Sequence, residues 1–110
     1  MYSNLQVFKA EFFRALAHPI RIRILECLSK AEHSVQELQR ALDLDQPVVS
    51  RQLAVLRAKG IVTPRKKGVT VRYALRDPRT AQLLNTAREI FNRHLVGTQD
   101  MLEELRREAR

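Results

Sequence analysis

The sequence predicts a mainly α-helical domain closed by one small β-hairpin, and three observations lead there. Apolar residues recur at three- and four-residue spacings over most of the chain, alternate only between Val62 and Leu75, and then return to the helical spacing. With no Trp and only 5% aromatic residues, the core has to be assembled from Leu, Val, Ile and Ala, which suits packed helices. At 110 residues, 45% of them hydrophobic, the chain supports one core and not two, so a single domain is expected over 1–110.

A first helix is expected from Ser3 to Ala17, where Leu5, Phe8, Phe12, Ala15 and Leu16 share a face with Lys9, Glu11 and Arg14 between them. His18-Pro19 interrupts it, because a residue before proline disfavours helix while proline suits the first turn of a new one. The second helix then runs from about Pro19 to Ser29 with Ile20, Ile24, Leu25 and Leu28 inward. Ser34 and Glu37 stand at capping-box spacing and open a short third helix, whose buried edge should be Val35, Leu38, Ala41 and Leu42. Leu42 to Asp45 connect it to a fourth helix, with Asp45 as N-cap, Pro47 in the first turn and an end near Gly60.

After Gly60, Val62, Val69, Val71, Tyr73 and Leu75 alternate around a charged tip, Arg65-Lys66-Lys67-Gly68. That is a hairpin signal, with Gly68 taking the positive φ of a tight turn. Pro64 has no amide hydrogen to give to a ladder, so its strand belongs at an edge. Asp77-Pro78 repeats the cap-and-proline start, and a long helix follows through Leu83, Leu84, Ala87, Ile90, Phe91 and Leu95. Gly97 marks a bend or an end. From Gln99 to Arg110, Met101, Leu102 and Leu105 form an apolar stripe among charges, a pattern suited to a partner more than to a core.

Charge narrows the function. Twenty Lys and Arg against 12 Asp and Glu leave a net charge of +8 and a pI near 10.6, which suits a polyanion partner such as DNA, RNA or an anionic membrane surface and equally a charge kept for solubility. No apolar run approaches the ~18 to 20 residues that cross a bilayer. The opening MYSNLQVFKAEFF has none of the regions of a secretory leader, so a cytoplasmic location is expected. One cysteine, Cys27, permits no intrachain disulfide, which fits that compartment.

The fourth helix carries two faces. Val49, Leu53 and Leu56 stand at i, i+4 and i+7 and should pack on helices two and three. Gln46, Pro47, Ser50, Arg51 and Ala54 lie away from that stripe, with Arg57 beyond. Short helix, tight connection, two-faced helix and basic hairpin, in that order, describe a helix-turn-helix followed by a wing. A major groove about 12 Å wide admits one helix, whose N-terminal residues meet base edges first. Gln46 suits adenine, Arg51 guanine or a phosphate, and Ser50 either kind of edge. Arg65, Lys66, Lys67 and Arg72 on the wing suit phosphates or the adjacent minor groove. Each of these residues alone is more often a solvated surface group or a soluble hairpin tip; the ordered combination carries the reading.

FFRALAHPIRIRILECL, SVQELQRALDLDQPVVSRQLAVLRAKGIV and RKKGVTVRYAL together resemble the ArsR/SmtB family of winged-helix transcriptional repressors over nearly the full chain. The resemblance implies a homodimer, paired through the first and last helices, that binds double-stranded DNA at an inverted-repeat operator and leaves it when a signal arrives. Leu5, Phe8 and Phe12 on the first helix and Leu84, Phe91 and Leu95 on the last are the residues expected in that interface. Two-fold symmetry would set the recognition helices about one DNA turn apart.

The metal sites common in that family are not matched. Where its thiolate type has Cys-x-Cys and a further cysteine, this chain has Ser34, Gln36 and Gln39. Where its last-helix type has Asp-x-His and His-x-x-Glu, the positions after Asp77 read Arg79, Ile90 and Arg93. His18 falls at a helix boundary and His33 in a loop, and Cys27 reads as a small buried hydrophobe. His94, with Asp100, Glu103 or its own symmetry mate, remains the one candidate for an atypical nickel or zinc site.

No Gly-rich phosphate loop, nucleophile elbow or HExxH is present, and Ser50 has no base partner beside Arg51, so neither an enzyme nor a cofactor is expected. Two function classes stay open at this point: a DNA-binding regulator answering to a metal, a redox cue, a small effector or a protein partner, and a dimeric protein-interaction module on the same fold.

Overall fold

The computed structural model describes residues 3–108, the side chain of Val96 excepted. The elements run α1 (Asn4–Leu16), α2 (Pro19–Lys30), β1 (His33–Ser34), α3 (Val35–Leu42), α4 (Gln46–Ala58), β2 (Val62–Lys67), β3 (Thr70–Leu75) and α5 (Arg79–Glu108). The last two residues of the expected tail lie outside the described residues.

Each helix begins where local chemistry satisfies its free amides. Ser3 and Gln6 form a capping box at α1, and Ser34 and Glu37 form the expected one at α3. His18 caps α2 by accepting the Ile20 amide on Nδ1 at 3.1 Å, with Pro19 in the first turn. Asp77 Oδ1 accepts the Arg79 amide at 2.9 Å as α5 begins. Asp45 holds the N-cap position of α4 but its side chain makes no cap bond, so Pro47, having no amide hydrogen to satisfy, is the main local start signal.

The core lies where α2, α3 and α4 meet the first residues of β2. Ile24, Leu25, Leu38, Val49, Leu53 and Leu56 are its fully buried large side chains, each worth about 1.5 to 3 kcal/mol against exposure. Ala15 and Leu16 bring the end of α1 onto it, and Ile61 and Val62 close it from the hairpin side. Ala41, expected on the buried edge of α3, is exposed, and Val35 is only half-buried. An eight-residue helix held between two neighbours buries a narrower stripe than its apolar periodicity suggests.

The sheet corrects the expected two-stranded hairpin. It has three antiparallel strands in the order β1-β3-β2, with His33 opposite Tyr73 and Ser34 opposite Arg72. His33 is therefore a strand residue and not a loop residue. Pro64 sits in β2, an edge strand, as its missing amide hydrogen requires. Arg65, Lys66 and Lys67 lie within β2 instead of forming the tip, and Gly68 and Val69 make the turn. Gly68 has φ +63°, and Val69, read as an alternating strand residue, is fully exposed there.

Two further points settle helix ends. Gly60 (φ +73°) ends α4 in a Schellman motif: its amide donates to Arg57 O and that of Ile61 donates to Leu56 O, both at 2.9 Å. Gly97 neither ends nor divides α5, which is one helix of 30 residues packed on α2 at its start and leaving the body thereafter.

Candidate nucleic-acid interface

The turn between α3 and α4 is three residues long. Asp43 takes the left-handed conformation (φ 54°), and the amides of Asp43 and Leu44 both return to Gln39 O. Arg23 donates from Nη2 to Leu42 O at 3.0 Å, adding a charge-assisted bond to a carbonyl that the end of α3 would otherwise leave to solvent. These contacts set the angle at which α4 leaves α3.

Arg21 ties α4 to the other side of the body. Its guanidinium donates to Ala15 O at 2.6 Å and Arg14 O at 3.4 Å, at the end of α1, and to Gln52 Oε1 at 3.0 Å on α4. Arg21 thus bridges α1 and α4, alongside the Glu11–Lys59 ion pair at 3.5 Å and the shared core. Its partners lie 6, 7 and 31 residues away, and no short-range pattern in the sequence announces them.

With Val49, Leu53 and Leu56 buried, the opposite side of α4 is open. Gln46, Pro47, Arg51, Ala54 and Arg57 are exposed and Ser50 is half-exposed. Gln46 Nε2 donates to Ser50 Oγ at 2.7 Å, one turn along, leaving its carbonyl oxygen and the Ser50 hydrogen available. Arg51 and Arg57 enter no ion pair among the described residues. The surface offered is a first-turn amide, a hydroxyl and two unneutralised guanidinium groups.

The wing cations divide into two groups by the strand's period of two. Arg65 is the cross-strand partner of Arg72, and Lys67 stands two residues along β2. All three meet Glu32, the residue just before β1: Lys67 Nζ at 2.7 Å, Arg65 Nη1 at 3.4 Å and Arg72 Nε at 3.5 Å. Arg72 also donates to Glu37 Oε1 at 2.7 Å and Glu32 O at 2.9 Å, and it is half-buried. Its first role is thus to pin the wing to the start of α3, which the sequence reading had not seen. The Lys67 hydrogen bond holds the Glu32 carboxyl below its ordinary range, and the Ser34 amide does the same for Glu37. Lys66, between them, is exposed and has no acidic partner among the described residues.

The remaining sequence candidates are placed as follows. Leu5, Phe8, Phe91 and Leu95 are exposed, whereas Phe12 and Leu84 pack against the chain's own core. Phe13, not singled out from the sequence, is exposed and stands edge-on to Phe12, with ring centroids 5.5 Å apart. Phe13, Leu16, Ile22, Leu84 and Phe91 line an apolar groove between α1, α2 and α5. Cys27 is half-buried against the core. Ser34 is committed to the capping box, and Asp77 pairs with Arg79 at 2.8 Å, which draws its pKa down to about 2. No three His, Cys, Asp or Glu side chains are grouped to hold a metal among the described residues, His94 included. No helix there is long and apolar enough to cross a membrane.

Known proteins share this sequence pattern and fold. A family model described as a helix-turn-helix domain matches residues 16–65, from the end of α1 into β2. Rv0081, an uncharacterized HTH-type transcriptional regulator of Mycobacterium tuberculosis, is 44% identical over 99 residues, which span 89% of this chain and 87% of that protein. Its crystal structure matches with a TM-score of 0.81 at 42% identity, covering 88% of this chain and 98% of that one. The biofilm growth-associated repressor of Xylella fastidiosa is 38% identical over 82 residues, 74% of this chain and 72% of that protein. The homodimeric winged helix-turn-helix DNA-binding domain of Mb0332 from Mycobacterium bovis, a possible ArsR-family regulator, has a TM-score of 0.77 at 26% identity and covers 86% of this chain and 91% of that one. A two-faced α4 behind a three-residue turn, a basic wing and relatives matched along most of their length lead to one conclusion: the chain belongs to the ArsR/SmtB family of winged helix-turn-helix transcriptional regulators.

Proposed function

We propose that this protein is a cytoplasmic, homodimeric repressor that reads an inverted-repeat operator in duplex DNA and performs no catalysis. The observation that carries the reading is the face of α4 bearing exposed Gln46 and Arg51 and half-exposed Ser50, opposite the buried Val49, Leu53 and Leu56 and beside a wing that supplies Lys66 on its edge strand. In this arrangement α4 enters the major groove from its N-terminal end. Gln46 and Arg51 address base edges, while Arg57 and the wing address phosphates and set the register.

The dimer is supported by the exposed apolar residues of α1 and α5 and by the groove between them. The Mb0332 domain, of the same fold, is homodimeric. Closed two-fold symmetry would present two α4 helices to half-sites about 34 Å apart. Repression then needs only occupancy, since a protein seated on a promoter excludes polymerase from it.

The test is a fluorescence-anisotropy titration against the protein's own upstream duplex and a scrambled duplex, over a range of salt, with and without chelator and added nickel or zinc. Preference for its own DNA with a steep salt dependence is expected. Equal, salt-independent binding to both duplexes would overturn the reading and favour the protein-interaction module.

A further inference from the structure

Glu32 answers a charge problem that the sheet creates. Arg65 and Arg72 are directly opposite each other on β2 and β3, and like charges in that position repel. Lys67 adds a third cation on the same face. One carboxylate, brought in by the extended segment before α3, meets all three at 2.7 to 3.5 Å. A single anion held by two guanidinium groups and an ammonium is the coordination a DNA phosphate would find there.

We propose that Glu32 is an internal stand-in for a DNA phosphate: it occupies Lys67 and Arg65 in the free protein, competes with the nucleic acid for them, and so limits the sequence-independent part of DNA affinity. The inference rests on the DNA-binding reading above.

The three ion pairs are not equally exchangeable. The Lys67 and Arg65 side chains remain 61% and 60% exposed, and pairs so open to solvent are weakly held. The Arg72 side chain is 27% exposed, with Glu37 and the Glu32 carbonyl as further acceptors. Arg72 and the β1–β3 ladder therefore keep the wing in place while Lys67 and Arg65 trade Glu32 for phosphate. Lys66, on the opposite face of the strand, has no such competitor among the described residues. The wing thus holds one unconditional phosphate contact and two conditional ones. An anion beside the interface lowers affinity for every sequence alike, while the base-reading face of α4 lies outside its contacts.

The experiment is the anisotropy titration over a salt series, on own and scrambled duplexes, with wild type, Glu32→Gln, the Lys67→Ala/Arg65→Ala double variant and the triple variant. Glu32→Gln is expected to bind both duplexes about fivefold more tightly, with a log–log salt slope steeper by about one unit. Because affinity rises, misfolding cannot imitate the result. In the Lys67→Ala/Arg65→Ala background the gain should vanish, since the cations that Glu32 occupies are gone. Unchanged or weaker binding by Glu32→Gln would overturn the inference. So would an equal gain in the double-variant background, which would reduce Glu32 to bulk charge. Wild-type protein that binds neither duplex in a salt-dependent way would remove the DNA-binding reading, and this inference with it. Normal wild-type binding with no effect of Glu32→Gln would remove the inference alone.

Discussion

Residues 19–75 and the two terminal helices cover their apolar side chains in opposite ways. In the first region, Ile24, Leu25, Leu28, Leu38, Val49, Leu53 and Leu56 close on one another, and none is more than 5% exposed. In α1 and α5, Phe8, Phe13, Phe91 and Leu95 remain 57% to 72% exposed although their spacing is just as regular. Amphipathic periodicity is therefore common to both, and what differs is the availability of a facing surface in the same chain. The central helices find theirs in each other; the terminal helices cover only Phe12, Ala15, Leu16 and Leu84 in this way and leave the rest of their apolar faces open, which on the proposed reading a second copy covers.

The contrast can be broken most forcefully in the core. Leu53→Ala removes a fully enclosed side chain between α4 and its neighbours, and chemical denaturation should show a loss of about 2 to 5 kcal/mol. A loss below 1 kcal/mol would mean that α4 is not anchored as described. Phe91→Ala should do the reverse: it should leave the fold of the isolated chain nearly unchanged while weakening self-association by about 2 kcal/mol, read by sedimentation equilibrium. Equal association of wild type and variant would take α5 out of the interface.

Arg51→Ala tests the open face of α4. With no ion-pair partner among the described residues, its thermal stability should hold, while operator affinity should fall by about 1 to 3 kcal/mol and preference should relax at one position of each half-site. Unaltered affinity and preference would place Arg51 outside the groove.

The smallest effect concerns acid. Glu37 has its carboxyl held below the ordinary 4.5 by the Ser34 amide first, with Arg72 assisting. A depressed carboxylate stabilises the folded state fully above its ordinary pKa and loses that contribution as pH falls through the lowered folded value. The melting temperature of wild type should accordingly exceed that of Glu37→Gln near neutrality. The gap should close as pH drops below 4.5. A gap that persists in acid would assign the difference to shape and not to charge.

Local chemistry made much of this legible. The Ser34–Glu37 capping box, Pro19, Pro47 and the apolar periods placed the helices within a residue or two, because each signal acts over one turn. The open face of α4 could also be read, since burying Val49, Leu53 and Leu56 leaves Gln46, Pro47 and Arg51 outside whatever the partner. The two-residue β1 was not legible, because it is a strand only by pairing with Arg72 and Tyr73 across the chain. For the same reason the charged run 65–67 read as a tip when the turn is Gly68–Val69.

By itself, then, the sequence determined the order of helices, the hairpin and the solvent-facing residues of α4, all consequences of spacing along a few turns of chain, and its composition set the basic balance. Only the tertiary structure decided that Arg72 is a pin, that Glu32 gathers Arg65, Lys67 and Arg72 but not Lys66, that Arg21 joins α1 to α4, and that Phe13 is open while Phe12 packs on the core. Those assignments depend on side chains 31 to 40 residues apart meeting in space, or on what stands opposite a helix face. No period in the sequence encodes either.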